Sequence, residues 1–146
     1  MYFHEKEKKS QLSPGDLLIA RHGDFGSACI VPDDLLEANC LNVVIIKPDR
    51  QLLLPEYLKI ILNSASMKSR FNAKAEGSTQ KVISTTEIAK SRIPMPPVSK
   101  QAEIARVISS IEESIACLES QQKSLMSLKV SMSQDLLSGR KRVDIS

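Results

Sequence analysis

Aromatic side chains are scarce, with no Trp, three Phe and two Tyr in 146 residues. That composition excludes a surface built on ring stacking, of the kind that grips single-stranded nucleic acid. Cysteine supplies no framework: Cys29, Cys40 and Cys117 are odd in number and far apart, so neither a disulfide set nor a metal-ligand pair is expected, and a reducing compartment suits them. His4 and His22 are the only histidines, and neither stands at ligand or triad spacing with a Cys, Asp or Glu. There is no Gly-rich phosphate loop and no strand-linked GxGxxG. Pro96-Pro97 lacks the flanking Asn or Asp and the aromatic of an amino-methyltransferase motif, and the carboxylates are scattered. The expectation is a chain that is not itself a catalyst and binds no metal or cofactor. No apolar run approaches the ~18 residues that span a bilayer. Met1 to Gln11 is charged and lacks a signal-peptide core, so a cytoplasmic protein is expected.

What is present is ordinary in bulk and uneven in place. Hydrophobic residues make up 42% and charged residues 25%, which favours a folded chain over a disordered one. The net charge of +3 conceals an asymmetry. From Met1 to Leu58 there are six Lys or Arg against nine Asp or Glu, whereas from Lys59 to Arg92 there are seven against Glu76 and Glu87 alone. A basic middle is the kind of patch that a phosphate backbone attracts.

Taken in order, Pro14-Gly15-Asp16 signals a turn, and Leu17 to Ala20 reads as a short buried strand bounded by Arg21-His22-Gly23. Gly23-Asp24-Phe25-Gly26 suits a tight loop, after which Ser27 to Val31 resumes an apolar strand. Cys40 to Ile46 contains Val43-Val44-Ile45-Ile46, the most β-prone run, halted by Pro48-Asp49. Pro55-Glu56 opens a helix expected to continue to about Lys74. Tyr57, Leu58, Ile61, Leu62 and Ala65 would face inward, and Lys59, Asn63, Ser66, Arg70 and Lys74 would form one polar stripe without an acid. Such a stripe is either a solvated face or a phosphate-binding one. Ser84-Thr85-Thr86-Glu87 is a capping box for a very short helix. Ile93-Pro94-Met95-Pro96-Pro97 is a rigid extended strap.

Ser99 to Leu137 contains neither Gly nor Pro and reads as one long helix. Ile108, Ile115, Gln122, Lys129 and Leu136 fall at heptad position a, and Ile104, Ile111, Leu118, Leu125 and Met132 at d. A period of 3.5 held for over four heptads makes a seam about 50 Å long. It either pairs with another helix or lies on its own domain, and pairing fits better because 97 preceding residues cover only part of that length. Gln122 and Lys129 would weaken the seam locally while fixing register. Ser138-Gly139 ends the helix, and Arg140-Lys141-Arg142 reads as a solvated basic tail. The expected class is α/β, in the sense of mixed α+β. Its parts are a recognition domain at 1–97, a coiled-coil helix for spacing or dimerisation at 98–139, and a tail at 140–146.

Four stretches in order carry a resemblance: Pro14-Gly15-Asp16-Leu17-Leu18 with Arg21 and Gly23; Gly77-Ser78-Thr79-Gln80; Ile93-Pro94-Met95-Pro96-Pro97 with Gln101 and Ile104; and Asp135-Leu136-Leu137-Ser138-Gly139. Together, over residues 12 to 143, the chain resembles the specificity subunit of type I restriction-modification systems. The resemblance implies a target recognition domain that reads part of a bipartite site on double-stranded DNA for host defence. It also implies a long helix gripped by methyltransferase (modification) subunits, with restriction subunits in the same complex. In a full-length member two such units lie in tandem with antiparallel helices. This chain holds one unit, with most of the domain's upstream part lacking, so a homodimer through the helix is expected to mimic the full subunit. Candidate DNA contacts are Arg21, His22, Lys59, Arg70, Lys74, Ser78, Thr79, Gln80 and Lys81. For Arg21-His22 and for Gly77 to Gln80 a purely structural turn is an equal alternative. The competing function is a truncated coiled-coil protein that docks on restriction-modification subunits without reading DNA.

Overall fold

The computed structural model describes residues 10–22, 26–35, 38–76 and 83–142. It divides into two compact units between Arg106 and Val107. The first is a mixed α+β unit built on three short strands: β1 (Leu17–Ala20), β2 (Ala28–Ile30) and β3 (Val43–Ile46). Both neighbours of β1 are antiparallel, giving the order β2-β1-β3. Leu17 stands opposite Ile30 on one side and Ile46 on the other, and Ile19 opposite Ala28 and Val44. Because side chains alternate along a strand, these residues share one face of the sheet. Leu17 and Ile19 are fully buried.

The strands lie where their composition places them, and their limits are set by backbone chemistry. Gly15 and Gly26 both have φ near +80°, and Asn42, which leads into β3, has φ 63°. Asn is among the few side chains that tolerate that region. At Gly26 there is a second reason for glycine, since a Cβ there would overlap the ring of Phe71.

The helix expected from Pro55 to Lys74 is instead two helices, α1 (Pro55–Asn63) and α2 (Ala65–Glu76). The break is at Ser64, whose ψ of 146° is extended. Its hydroxyl donates to the Ile61 carbonyl at 2.7 Å and accepts from the Met67 N–H at 3.3 Å, so one serine closes α1 and opens α2. The break resets the helical phase. Tyr57, Leu58 and Leu62 are buried as expected, but Ala65 is exposed and Met67 and Phe71 take the core positions of α2. The core thus joins Leu17, Ile19 and Val44 of the sheet to Leu58, Leu62, Met67 and Phe71 of the helices, with Ile83 and Ile88 completing it.

The N-cap half of the expected capping box is present: Ser84 accepts from the Glu87 N–H at 3.1 Å and opens α3 (Thr85–Ala89). The strap over Ile93 to Pro97 is not helical and leads directly into α4 (Val98–Leu137), a single helix of 40 residues. Gly139, at φ 72°, ends it as the sequence suggests.

Leu17→Ala tests the core directly. Removing a fully buried Leu side chain between two paired strands should cost about 3 kcal/mol in urea unfolding, since the paired backbones restrain collapse of the cavity. Leu41→Ala, at a well-exposed site, should change stability by less than about 0.5 kcal/mol.

Candidate nucleic-acid interface and helix seam

One end of the sheet gathers several of the polar groups of interest. At the β1–β2 connection Ala20 donates to the Ser27 carbonyl at 2.9 Å and Gly26 donates to that of Ala20 at 3.1 Å. Lys68 of α2 reaches the same loop, its ammonium 2.9 Å from the Ser27 hydroxyl. Arg21 follows β1 directly and is half-buried. Its Nε donates to the Ile83 carbonyl at 3.1 Å, and its own carbonyl accepts from the Ile83 N–H at 3.3 Å. Arg21 therefore holds Ile83, the first described residue after 77–82, against the end of β1.

The remaining candidate contacts divide clearly. His22 and Arg70 are exposed, Lys59 is half-buried, and Lys74 lies in α2 with its side chain outside the description. Ser78, Thr79, Gln80 and Lys81 fall outside the described residues, as do Gly23 to Phe25. The single stripe of Lys59, Asn63, Ser66, Arg70 and Lys74 does not exist, because the break at Ser64 separates its first two members from the rest. Asn63 is also committed elsewhere. Its carboxamide accepts from the Ala28 N–H at 2.9 Å and donates to the Ala28 carbonyl at 2.8 Å, standing in for a strand on the outer side of β2.

Where the strap enters α4, Gln101 is fully buried and every polar atom of its side chain is used. Its oxygen accepts from the Leu54 N–H at 2.9 Å, while its nitrogen donates to the carbonyls of Leu52 at 2.9 Å and Pro96 at 2.8 Å. One amide thus ties together the lead-in to α1, the strap and the first turn of α4. Tyr57 adds a bond from its hydroxyl to the Pro94 carbonyl at 3.1 Å. Neither role could be read from periodicity; the signal available was a polar residue one turn into a helix, directly after a proline run.

Along α4 the heptad seam is solvent-facing. Ile104, Ile111, Ile115, Leu118, Leu125, Met132 and Leu136 are all exposed, Leu118 and Leu125 by 64% and 65%, and Ile108 is half-buried. Gln122 and Lys129 are exposed between them. Among the described residues no group of three or more His, Cys, Asp or Glu converges as metal ligands, and no helix is long and apolar enough to cross a membrane. Cys29, Cys40 and Cys117 are free thiols.

Residues 2–127 match the family model described as the type I restriction modification DNA specificity domain. The chain belongs to that family. The match takes in the sheet unit and the greater part of α4. Among individual relatives, a protein named as the MjaX type I restriction enzyme specificity subunit of Methanocaldococcus jannaschii is 27% identical over 135 residues, 88% of this chain and 31% of the relative. The EcoBI specificity subunit of Escherichia coli is 22% identical over 130 residues, 89% of this chain and 27% of that protein. The EcoKI specificity subunit of Escherichia coli K12 is 28% identical over 140 residues, 88% of this chain and 29% of that protein. The chain thus spans under a third of the length of these relatives.

Gln101→Leu keeps the volume of the buried side chain but strands the Leu54 N–H and the Leu52 and Pro96 carbonyls. The expected loss is about 2–4 kcal/mol in urea unfolding, larger than for a neutral exposed amide. An equal loss for Gln122→Leu, on the exposed stretch of the same helix, would show that the burial of Gln101 has no special weight.

Proposed function

We propose that this chain is a non-catalytic DNA-specificity subunit, or half-subunit, of a type I restriction-modification complex. It recognises part of a bipartite site on double-stranded DNA and scaffolds methyltransferase subunits through α4. The observation that carries this reading is the pairing of a specificity-domain family match with a long helix whose apolar heptad positions stand in solvent. Fully burying one such Leu or Ile is worth about 1.5–3 kcal/mol, so a seam of this length gains substantially from a partner helix. Two copies pairing their helices antiparallel would place two recognition units, each ending near residue 97, at opposite ends of a spacer. The restriction subunits would join the same assembly, and the protein would work in the cytoplasm.

In the DNA-reading role, Arg70 and Lys74 would supply charge to phosphates, His22 would offer a ring hydrogen bond, and Ser78, Thr79, Gln80 and Lys81 would reach backbone or base edges. Arg21 would act by holding Ile83, which follows Ser78 to Lys81 in the chain. Lys59 belongs to the same basic region.

A second reading has its own support. Arg21 and Lys68 are tied to the Ile83 carbonyl and the Ser27 hydroxyl, which restricts how far their cationic ends reach from the fold, while the apolar seam is exposed along α4. On that reading the protein docks on restriction-modification subunits through α4 without reading DNA.

Duplex binding at several salt concentrations decides between them. If Arg70 and Lys74 meet phosphates, the double replacement by Ala should flatten the slope of log affinity against log salt by about two. An unchanged slope removes both from the interface, and no duplex affinity at low salt leaves the docking reading. For the seam, Leu118→Glu with Leu125→Glu should convert a light-scattering dimer to monomer with the sheet unit still folded. A wild-type chain that stays monomeric at high micromolar concentration would rule out the homodimer.

A further inference from the structure

The buried residues of α4 are Gln101 and Ala105, both within its first two turns. The strap that leads into them, Ile93 to Pro97, contains three prolines, which have no N–H to donate. Its carbonyls make the ties instead. That of Pro94 accepts from the Tyr57 hydroxyl at 3.1 Å, and that of Pro96 from the Gln101 amide at 2.8 Å. Gln101 also bonds Leu54 and Leu52, at 2.9 Å each, so both ties end on the same short stretch that opens α1. Apolar contact is non-directional and lets neighbouring elements slide or tilt. A planar amide bonded to three backbone groups on separate segments does not, because any tilt of the helix lengthens at least one bond.

Small errors of direction at this junction grow along the helix. Beyond Gln101, α4 continues to Leu137 without Gly or Pro. From Gln101 to Leu136 is about 50 Å at ~1.5 Å per residue, so a swing of about 10° at one end carries the other through about 9 Å. On a duplex rising ~3.4 Å per base pair, that is two to three base pairs. A spacer that selects one separation between half-sites therefore needs a junction stiff to within a few degrees.

We infer that Gln101 is a positioning residue, which fixes the direction in which α4 leaves the sheet unit and, through it, the separation at which two recognition units read DNA. The second half of that statement rests on the two-copy, DNA-reading function proposed above, and the first half does not. Gln101 touches no DNA in this role. It acts through the helix, and the bond from Tyr57 to Pro94 assists it by holding the strap.

Two exposed cysteines, Cys29 on β2 and Cys117 on α4, are natural sites for a pair of spin labels in the full chain once Cys40 is replaced by Ser. Labelled chain is diluted into excess unlabelled chain, so that electron–electron resonance reads distances within one chain. The parent should give a single narrow distribution. Gln101→Glu keeps the size and the acceptor but loses both donors, and should broaden it at least ~2-fold, since a junction swinging by about 20° moves Cys117, ~24 Å along the helix, by about 8 Å. Gln101→Asn, one methylene short of the same bonds, serves if Gln101→Glu does not fold. Leu17→Ala weakens the core without touching the junction and should leave the distribution narrow. A broad parent distribution, a narrow one for the Gln101 variant, or equal broadening by Leu17→Ala would overturn the proposal. Selection from a pool of random-sequence duplexes then reads the separation: the parent should enrich two half-sites at one spacing, and Gln101→Glu the same half-sites at several. The same single spacing for both proteins would also overturn the role in separation. A parent that enriches no paired half-sites removes the two-copy DNA reading and with it the role in separation, whereas the spin-label result still decides the direction of α4.

Discussion

The carboxamide of Gln101 is the constraint on which the sheet unit's connection to its helix depends. Leu52 and Leu54 lie just before α1, Pro96 lies in the strap, and Gln101 lies in the first turns of α4. Three segments that share no regular hydrogen-bonding pattern meet there, and their backbone groups would be buried without partners if the amide were absent. A buried unpaired group costs about 1–3 kcal/mol, so a single side chain with one acceptor and two donors satisfies a requirement no apolar residue could meet. Pro55 at the start of α1 has no N–H to satisfy, and Leu54 offers no capping side chain. Gln101 completes that helix start from 47 residues away.

A related economy governs α1 and α2. Ser64 replaces the expected continuous helix by two, and Asn63, immediately before it, turns its amide to β2. Those two polar residues have separate tasks, one redirecting the chain and the other closing a sheet edge. Together they change the electrostatic picture, because the cations of this region no longer lie along one stripe. Lys68 is drawn toward Ser27 and Arg21 toward Ile83, while Arg70 remains on the surface. Of the cations that the sequence concentrates between Lys59 and Arg92, Lys68 is thus held against the β1–β2 loop.

The face of α4 offers exposed apolar side-chain area at a 3.5-residue period, which suits another helix, and what a partner would add there is apolar burial and register.

By itself the sequence determined the three strands, whose β-branched runs and flanking Gly, Asn and Pro leave little conformational choice. It also determined the N-cap at Ser84 and the long helix with its four-three apolar rhythm. These are local properties, settled by propensity, backbone sterics and periodicity within a few turns of chain. The family, too, was legible, because its motifs are short linear stretches in a fixed order. Only the tertiary structure decided the break at Ser64, the inward turn of Phe71, the use of Arg21 and Lys68 as internal ties, and the central place of Gln101. Arg21, Lys68 and Gln101 reach partners 41 to 62 positions distant and Phe71 joins the distant sheet core, whereas Ser64 bonds only three positions away on either side. A serine in a helical pattern or a glutamine after prolines reads as an ordinary polar residue until the group opposite it is known. The physical reason is that a polar side chain's role is set by which backbone groups the fold leaves without water, and no local pattern records that.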